Sequence, residues 1–281
     1  MTDNHLQREN PVYRLAALDQ DFILGDSTRG VRFLLEYAKA EELLRAWGVA
    51  TTVVVFGSAR VRPEGGMTVD PAGVSGPVAK TSARATRWYE EARRLGRIVS
   101  ERGGALEPRG GGRQNVIATG GGPGIMEAAN RGATEAGAPS IGFNIRLPLE
   151  QEPNAYSTPD LTFQFHYFAM RKMHLAMRAS ALVVFPGGFG TLDELFEMLT
   201  LAQTHKAPPL PIVCVDRNYW TRIINFEALV EEGMIRAEDL ELLDFADDAE
   251  EAWSRLIARG LKIAPPERLP VPETPPPGAG A

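Results

Sequence analysis

Three short apolar runs in this chain each end directly in a cluster of glycines. Thr52-Val53-Val54-Val55-Phe56 runs into Gly57-Ser58-Ala59-Arg60. Asn115-Val116-Ile117-Ala118-Thr119 runs into Gly120-Gly121-Gly122-Pro123-Gly124, and Ala181-Leu182-Val183-Val184-Phe185 into Pro186-Gly187-Gly188-Phe189-Gly190-Thr191. Runs that are apolar throughout, rather than alternating with polar residues, belong to strands covered on both faces. Helically spaced stretches separate them, and strands that alternate with helices imply right-handed crossovers and a mostly parallel sheet. The expected fold class is therefore α/β: a doubly wound, mostly parallel, Rossmann-like sheet in one domain.

The rest of the chain fits that frame. Residues 29–47 place Val31, Phe33, Leu34, Tyr37, Ala38 and Leu44 at helical spacing, with Gly48 as a stop. Further helices are expected over 84–101, from Pro123 to about 135, and over 167–179, 191–204, 218–231 and 247–259. Further strands are expected at 140–143, 161–165 and 211–215. Residues 61–83, rich in Gly, Pro, Ser and Thr, read as a long loop. The Pro- and Gly-rich tail, 264–281, reads as disordered. The division this gives is an N-terminal arm and helix (1–48), the sheet domain (49–262) and a tail (263–281).

Composition excludes several classes of function. With 281 residues, 44% of them hydrophobic, the chain can form a large core, and its net charge of -6 argues against a broad basic surface. Neither a nucleic-acid polymer nor an anionic membrane is an expected partner. The single cysteine, Cys214, lies in the apolar run Pro211-Ile212-Val213-Cys214-Val215 and reads as a buried strand residue, so neither a disulfide within the chain nor a cysteine-rich metal site is available. Met1 to Asn10 is polar, without the apolar stretch of a signal peptide, and no apolar run approaches the roughly 18 residues that span a bilayer. A soluble, cytoplasmic protein is expected.

In a doubly wound sheet, ligands bind beyond the carboxyl ends of the strands. The three clusters that follow strands should converge there, whereas Gly103-Gly104 and Gly110-Gly111-Gly112, which precede a strand, belong at the opposite edge as turns. Glycines ahead of a helix let backbone N–H groups and the positive helix end approach an anion, so the converging clusters read as a phosphate site. The dinucleotide fingerprint is not met: Gly120, Gly122 and Ile125 do not give its spacing, and no acidic residue ends the next strand. No Gly-Lys-Ser/Thr occurs, so the P-loop signature is not met either.

Two further groups stand out. Glu194, three residues after Thr191, either completes a capping box or projects from the first helical turn into the phosphate crevice, and Asp193 has the same two options. In Met170-Arg171-Lys172-Met173-His174-Leu175-Ala176-Met177-Arg178, the methionines 170, 173 and 177 share one helical face and are expected in the core. Arg171, His174 and Arg178 share another, which is either a solvated basic face or one that brings Arg171, with its bidentate fork, to the crevice. His166 and His205 have no partner pattern and read as structural.

Gly120-Gly121-Gly122-Pro123-Gly124-Ile125-Met126, Arg171-Lys172 and Pro186-Gly187-Gly188-Phe189-Gly190-Thr191-Leu192-Asp193-Glu194 resemble the LONELY GUY (LOG) family, whose members are often mislabelled lysine decarboxylases. The PGGxGTxxE hallmark is matched in full, and the resemblance covers about residues 50–232. The longer bacterial branch is the more similar, given Phe56-Gly57-Ser58-Ala59-Arg60, Asn144-Ile145-Arg146-Leu147-Pro148 and Thr200-Leu201-Ala202-Gln203-Thr204. The resemblance implies a phosphoribohydrolase that cleaves the N-glycosidic bond of a nucleoside 5′-monophosphate, either AMP or a cytokinin ribotide, to free base and ribose 5-phosphate. It implies that Glu194 and Arg171 are catalytic. Gly120, Gly121, Gly122, Gly124, Gly187, Gly188, Gly190, Thr191, Lys172, Ser58 and Arg60 would bind the substrate. It further implies a homodimer or higher homo-oligomer, with no metal and no organic cofactor. Short plant-type members carry His-Glu before Arg-Lys, where this chain has Ala169-Met170. Lysine decarboxylation would need pyridoxal phosphate on a buried lysine, and Lys80, Lys172 and Lys206 offer no such context. The rival reading is a carrier of the same fold that holds a nucleotide or the molybdenum cofactor without cleaving it.

Overall fold

The computed structural model describes residues 3–63, 82–108, 111–147, 152–207 and 209–263. Most of the segment read as a long loop, and the tail from 264, lie outside the described residues. Seven parallel strands form one sheet: β1 (Thr52–Phe56), β2 (Val116–Thr119), β3 (Ser140–Ile145), β4 (Thr162–Phe165), β5 (Ala179–Val184), β6 (Ile212–Val215) and β7 (Asp244–Ala246). Their order is β4-β3-β2-β1-β5-β6-β7. The chain winds outward from β1 in one direction, then returns to place β5 on the other side of β1, pairing Val53 with Ala181 and Phe56 with Val184. The switch point is therefore between β1 and β5, where the crevice of such a sheet opens.

The helices are α1 (His5–Glu9), α2 (Gln20–Leu24), α3 (Arg29–Ala46), α4 (Ser82–Gly103), α5 (Ile125–Glu135), α6 (Phe168–Met177), α7 (Phe189–Gln203), α8 (Arg217–Ile223), α9 (Phe226–Glu231) and α10 (Ala249–Ala258). Every residue of β1, β2, β3 and β6 is buried, as the unbroken apolar runs require. Period-two alternation splits these strands between two cores. Val53, Val55, Ile117 and Val183 pack beneath α4, α5 and α10. Val54, Phe56, Ala118 and Leu182 pack beneath α3, α6, α7 and α8.

Several elements differ from expectation. The stretch 218–231 is two helices, because Asn225 breaks the first and caps the second through Ala228 N–H (3.1 Å). β7 has only three residues and begins on an aspartate, too little for a periodic signal. The Asn115 run begins its strand at Val116, and α5 starts at Ile125, two residues after Pro123, with Gly124 at φ +75° before it. On α6 the methionine face is not the core face: Met177 is 48% exposed, while His174 and Leu175 are buried. The helix is turned so that the Arg171–His174–Arg178 face meets the sheet and α3.

α3 holds α6 at both ends. At the amino end, Glu36 accepts hydrogen bonds from the main-chain N–H groups of His166 (2.8 Å) and Tyr167 (3.3 Å). At the carboxyl end, Arg178 donates to both carboxylate oxygens of Glu41, at 2.8 and 2.9 Å. Between them His174 is enclosed by the rings of Tyr37, Phe143 and Phe165. Arg178 and His174 are thus covered by a helix from the far end of the chain rather than solvated. Among the described residues, no helix is long and apolar enough to cross a membrane.

Candidate active site

The three glycine turns meet through main-chain hydrogen bonds. Ser58 N–H donates to the carbonyl of Pro186 (3.0 Å), and Ser58 carbonyl accepts from Ile125 N–H (3.1 Å). The turn after β1 thereby ties the turn after β2 to the turn after β5. Gly103-Gly104 and Gly112 lie at the opposite edge, where Arg113 N–H bonds Gly48 carbonyl, as expected of turns that precede a strand.

The glycines of the three turns do different work. Gly121 and Gly124 have φ of +69° and +75°, which L side chains rarely adopt, and a Cβ on Gly124 would run into the carbonyl oxygen of Ser58. Gly187 packs against Thr191, so Thr191 is buried inside its own turn. Gly188 and Gly190 face open space, where an added Cβ would meet nothing within 4 Å. These two residues are the approachable part of the cradle. α7 starts on them, and the N–H groups of its first turn have no partner within the helix.

That start removes the capping-box reading of Glu194. α7 begins at Phe189 with Gly188 as N-cap and no side-chain cap, so Thr191 already lies within the helix and no capping box forms. Glu194 is buried one turn in, with Oε1 3.6 Å from Nη2 of Arg171. Arg171 reaches it from α6, and its Nε donates to Phe143 carbonyl in β3 (3.0 Å). Loss of water around Glu194 pushes its carboxyl up to about 7, against the lowering effect of Arg171 and Lys172. Burial likewise lowers the Arg171 guanidinium from its ordinary value, opposed by Glu194 and Asp193. The floor beneath Glu194 is largely apolar, formed by Val54, Phe56, Leu175, Leu182 and Met198, with Lys172 and Glu197 also lining it.

Lys172 is placed differently. Its ammonium pairs with Asp193 (2.7 Å) and Glu197 (3.1 Å) of α7. Arg60 is exposed, with its N–H bonded to Ser58 Oγ (3.1 Å).

Two supporting residues escaped the sequence reading. Asn154 holds the Gly120 turn: its main-chain N–H donates to Gly121 carbonyl (2.8 Å) and its Nδ2 donates to Gly122 carbonyl (3.0 Å). Tyr219 holds the Gly187 turn, its hydroxyl donating to Gly187 carbonyl (2.6 Å). Tyr219 N–H in turn bonds the Asp216 carboxylate, which Arg84 and Trp88 also hold, each at 2.8 Å. Asp216 stands at φ +70° just past β6, and an acidic residue directly after a buried strand was the one available signal.

Residues 126–256 match the family model described as "Possible lysine decarboxylase". The chain is 29% identical over 146 residues to a probable cytokinin riboside 5′-monophosphate phosphoribohydrolase of Oryza sativa subsp. japonica, covering 50% of this chain and 62% of that protein. It is 27% identical over 150 residues to a cytokinin riboside 5′-monophosphate phosphoribohydrolase of Arabidopsis thaliana, covering 52% of this chain and 64% of that protein. The chain thus spans less than two thirds of the length of these two relatives. Among solved structures it is similar to the molybdenum cofactor binding protein of Rippkaea orientalis, at 18% identity and a TM-score of 0.43, over 74% of this chain and 94% of that one.

Proposed function

Because this chain belongs to the LONELY GUY (LOG) family, we propose that it is a phosphoribohydrolase. Its reaction is the addition of water to C1′ of a nucleoside 5′-monophosphate, AMP or a cytokinin ribotide, to release the base and ribose 5-phosphate. The observation that carries this reading is the buried Arg171–Glu194 pair beside the junction of three glycine turns. A site that only held an anion would gain nothing from a carboxylate set into an apolar floor.

The chemistry follows from the placement. Breaking the ribosyl C–N bond builds positive charge on the sugar, which a close carboxylate stabilises. A carboxyl poised near 7 also has the basicity to take a proton from the attacking water at neutral pH. Arg171, fixed by Phe143 carbonyl, sets the position of Glu194 and moderates the effect of burial on it. The open main chain at Gly188 and Gly190, with the amino end of α7 behind it, receives the 5′-phosphate, whose binding energy is remote from the reacting bond. Assembly into a homodimer or higher oligomer belongs to the same reading. The exposure of Phe189 (92%) and of Val12 (90%) in the N-terminal arm supports it.

The test is base release from a panel of nucleoside 5′-monophosphates, with the matching nucleosides as controls. Release from a monophosphate but not from its nucleoside, abolished by Glu194→Ala, is the expected result. Nucleotide binding without release by the unaltered protein would replace the hydrolase with a carrier.

A further inference from the structure

Phe168 is the first residue of α6 and lies 52% exposed at the carboxyl edge of the sheet. Its ring is not isolated: the Arg171 guanidinium carbon sits over it, 6.0 Å from the ring centroid. Arg171 is therefore bordered by Gly120, by Glu194, by Phe143 carbonyl and by Phe168. The first three are buried and Phe168 alone opens to solvent. α6 follows β4 and bonds to Phe143 carbonyl in β3, whereas the Gly188–Gly190 cradle follows β5, and β1 and β2 lie between β3 and β5. Phe168 thus forms the wall of the crevice opposite the cradle.

A nucleotide seated with its phosphate at Gly188 and Gly190 and its C1′ at Glu194 extends its base toward that far wall. We infer that Phe168 is a specificity-determining residue whose ring face stacks on the departing base, so that the site selects planar aromatic bases. This rests on the phosphoribohydrolase reading for the placement of sugar and phosphate. Covering an exposed phenyl ring with a flat heterocycle removes apolar surface from water on both sides, and base–aromatic stacking is tolerant of base identity. Recognition of this kind accepts purines with varied substituents. It also gives the Arg171 cation a stacked ring system on its open side.

The experiment measures equilibrium binding of AMP and of ribose 5-phosphate to the full chain and to Phe168→Ala, Phe168→Leu and Phe168→Trp. The expected result is that both small substitutions weaken AMP by about 10-fold or more and leave ribose 5-phosphate within about twofold. Phe168→Trp should keep AMP affinity at or above that of the unaltered protein. Leucine retains the apolar bulk that packs at the start of α6, so it separates loss of the ring from loss of the fold. Equal weakening of AMP and ribose 5-phosphate, or no weakening of either, would overturn the assignment. Because the readout is binding, a protein that binds AMP without cleaving it fails the hydrolase reading while still reporting on Phe168.

Discussion

Gly120 leaves the space that Arg171 occupies: a Cβ at Gly120 would lie 2.9 Å from Nη2 of Arg171 and equally close to the sulfur of Met126. The second glycine turn therefore makes room for the Arg171–Glu194 pair. Gly120→Ala is expected to push the guanidinium off Glu194 and lower kcat by about 10- to 100-fold, since displacement of catalytic groups by an ångström has effects of that order. Affinity for ribose 5-phosphate should change little. Steady-state kinetics beside a binding titration check both halves.

The raised carboxyl of Glu194 has consequences of opposite sign for activity and stability. As a base it works only when ionised, so kcat/KM should fall as pH drops through about 7, a limb that Glu194→Gln removes along with most of the activity. Its folded value lies above the unfolded one, so the folded state binds the extra proton. The stability this confers is present below about 4.5 and is lost as pH rises through about 7, at a cost of about 3 kcal/mol. Glu194→Gln should accordingly gain stability over the unaltered protein at pH 8 and gain little at pH 5, as urea unfolding at the two pH values would show.

Glu41 has the reverse linkage. Hydrogen bonding to Arg178 is the main cause of a carboxyl lowered to about 2, with Arg45 adding to it against the opposing effect of burial. The stability it contributes is present above about 4.5 and disappears as pH falls toward 2. Both side chains of the pair are nearly buried, at 11% and 13% exposure. Glu41→Gln leaves Arg178 without its counter-charge and is expected to destabilise the fold by about 3 kcal/mol at pH 7, measured by the same unfolding method. Because α6 carries Arg171, residual activity should fall further than the change in folded fraction explains.

The strands and the edge on which the glycines gather were legible because both signals are local. An unbroken apolar run followed by glycine needs no knowledge of what packs on it. The role of α3 was not legible, because Glu36 and Glu41 meet their partners across more than a hundred residues of chain: the Glu41–Arg178 contact spans 137 positions and the Glu36–His166 contact 130. The same distance hid the burial of His174, which shares its helical face with Arg171 and Arg178 while the methionines 170, 173 and 177 make the more apolar face. Thr191 and Glu194 carried the spacing of a capping box, but glycines at 188 and 190 allow the helix to begin earlier, and no periodicity in the sequence records that. Asn154 and Tyr219 act on backbone carbonyls, and a hydrogen bond to main chain leaves no complementary residue to look for.

The bonds that join the three turns run from Ser58 N–H to Pro186 carbonyl and from Ile125 N–H to Ser58 carbonyl, atoms that every residue at those positions possesses. On the proposed reading, the anion-facing part of the site is thus written in backbone, while the wall proposed for the base is written in a side chain at Phe168. Drift in sequence can rewrite the wall without loosening the cradle. On the proposed phosphoribohydrolase reading, a lineage built on this scaffold would be free to exchange one nucleotide for another by single substitutions while its hold on the sugar phosphate is inherited unchanged.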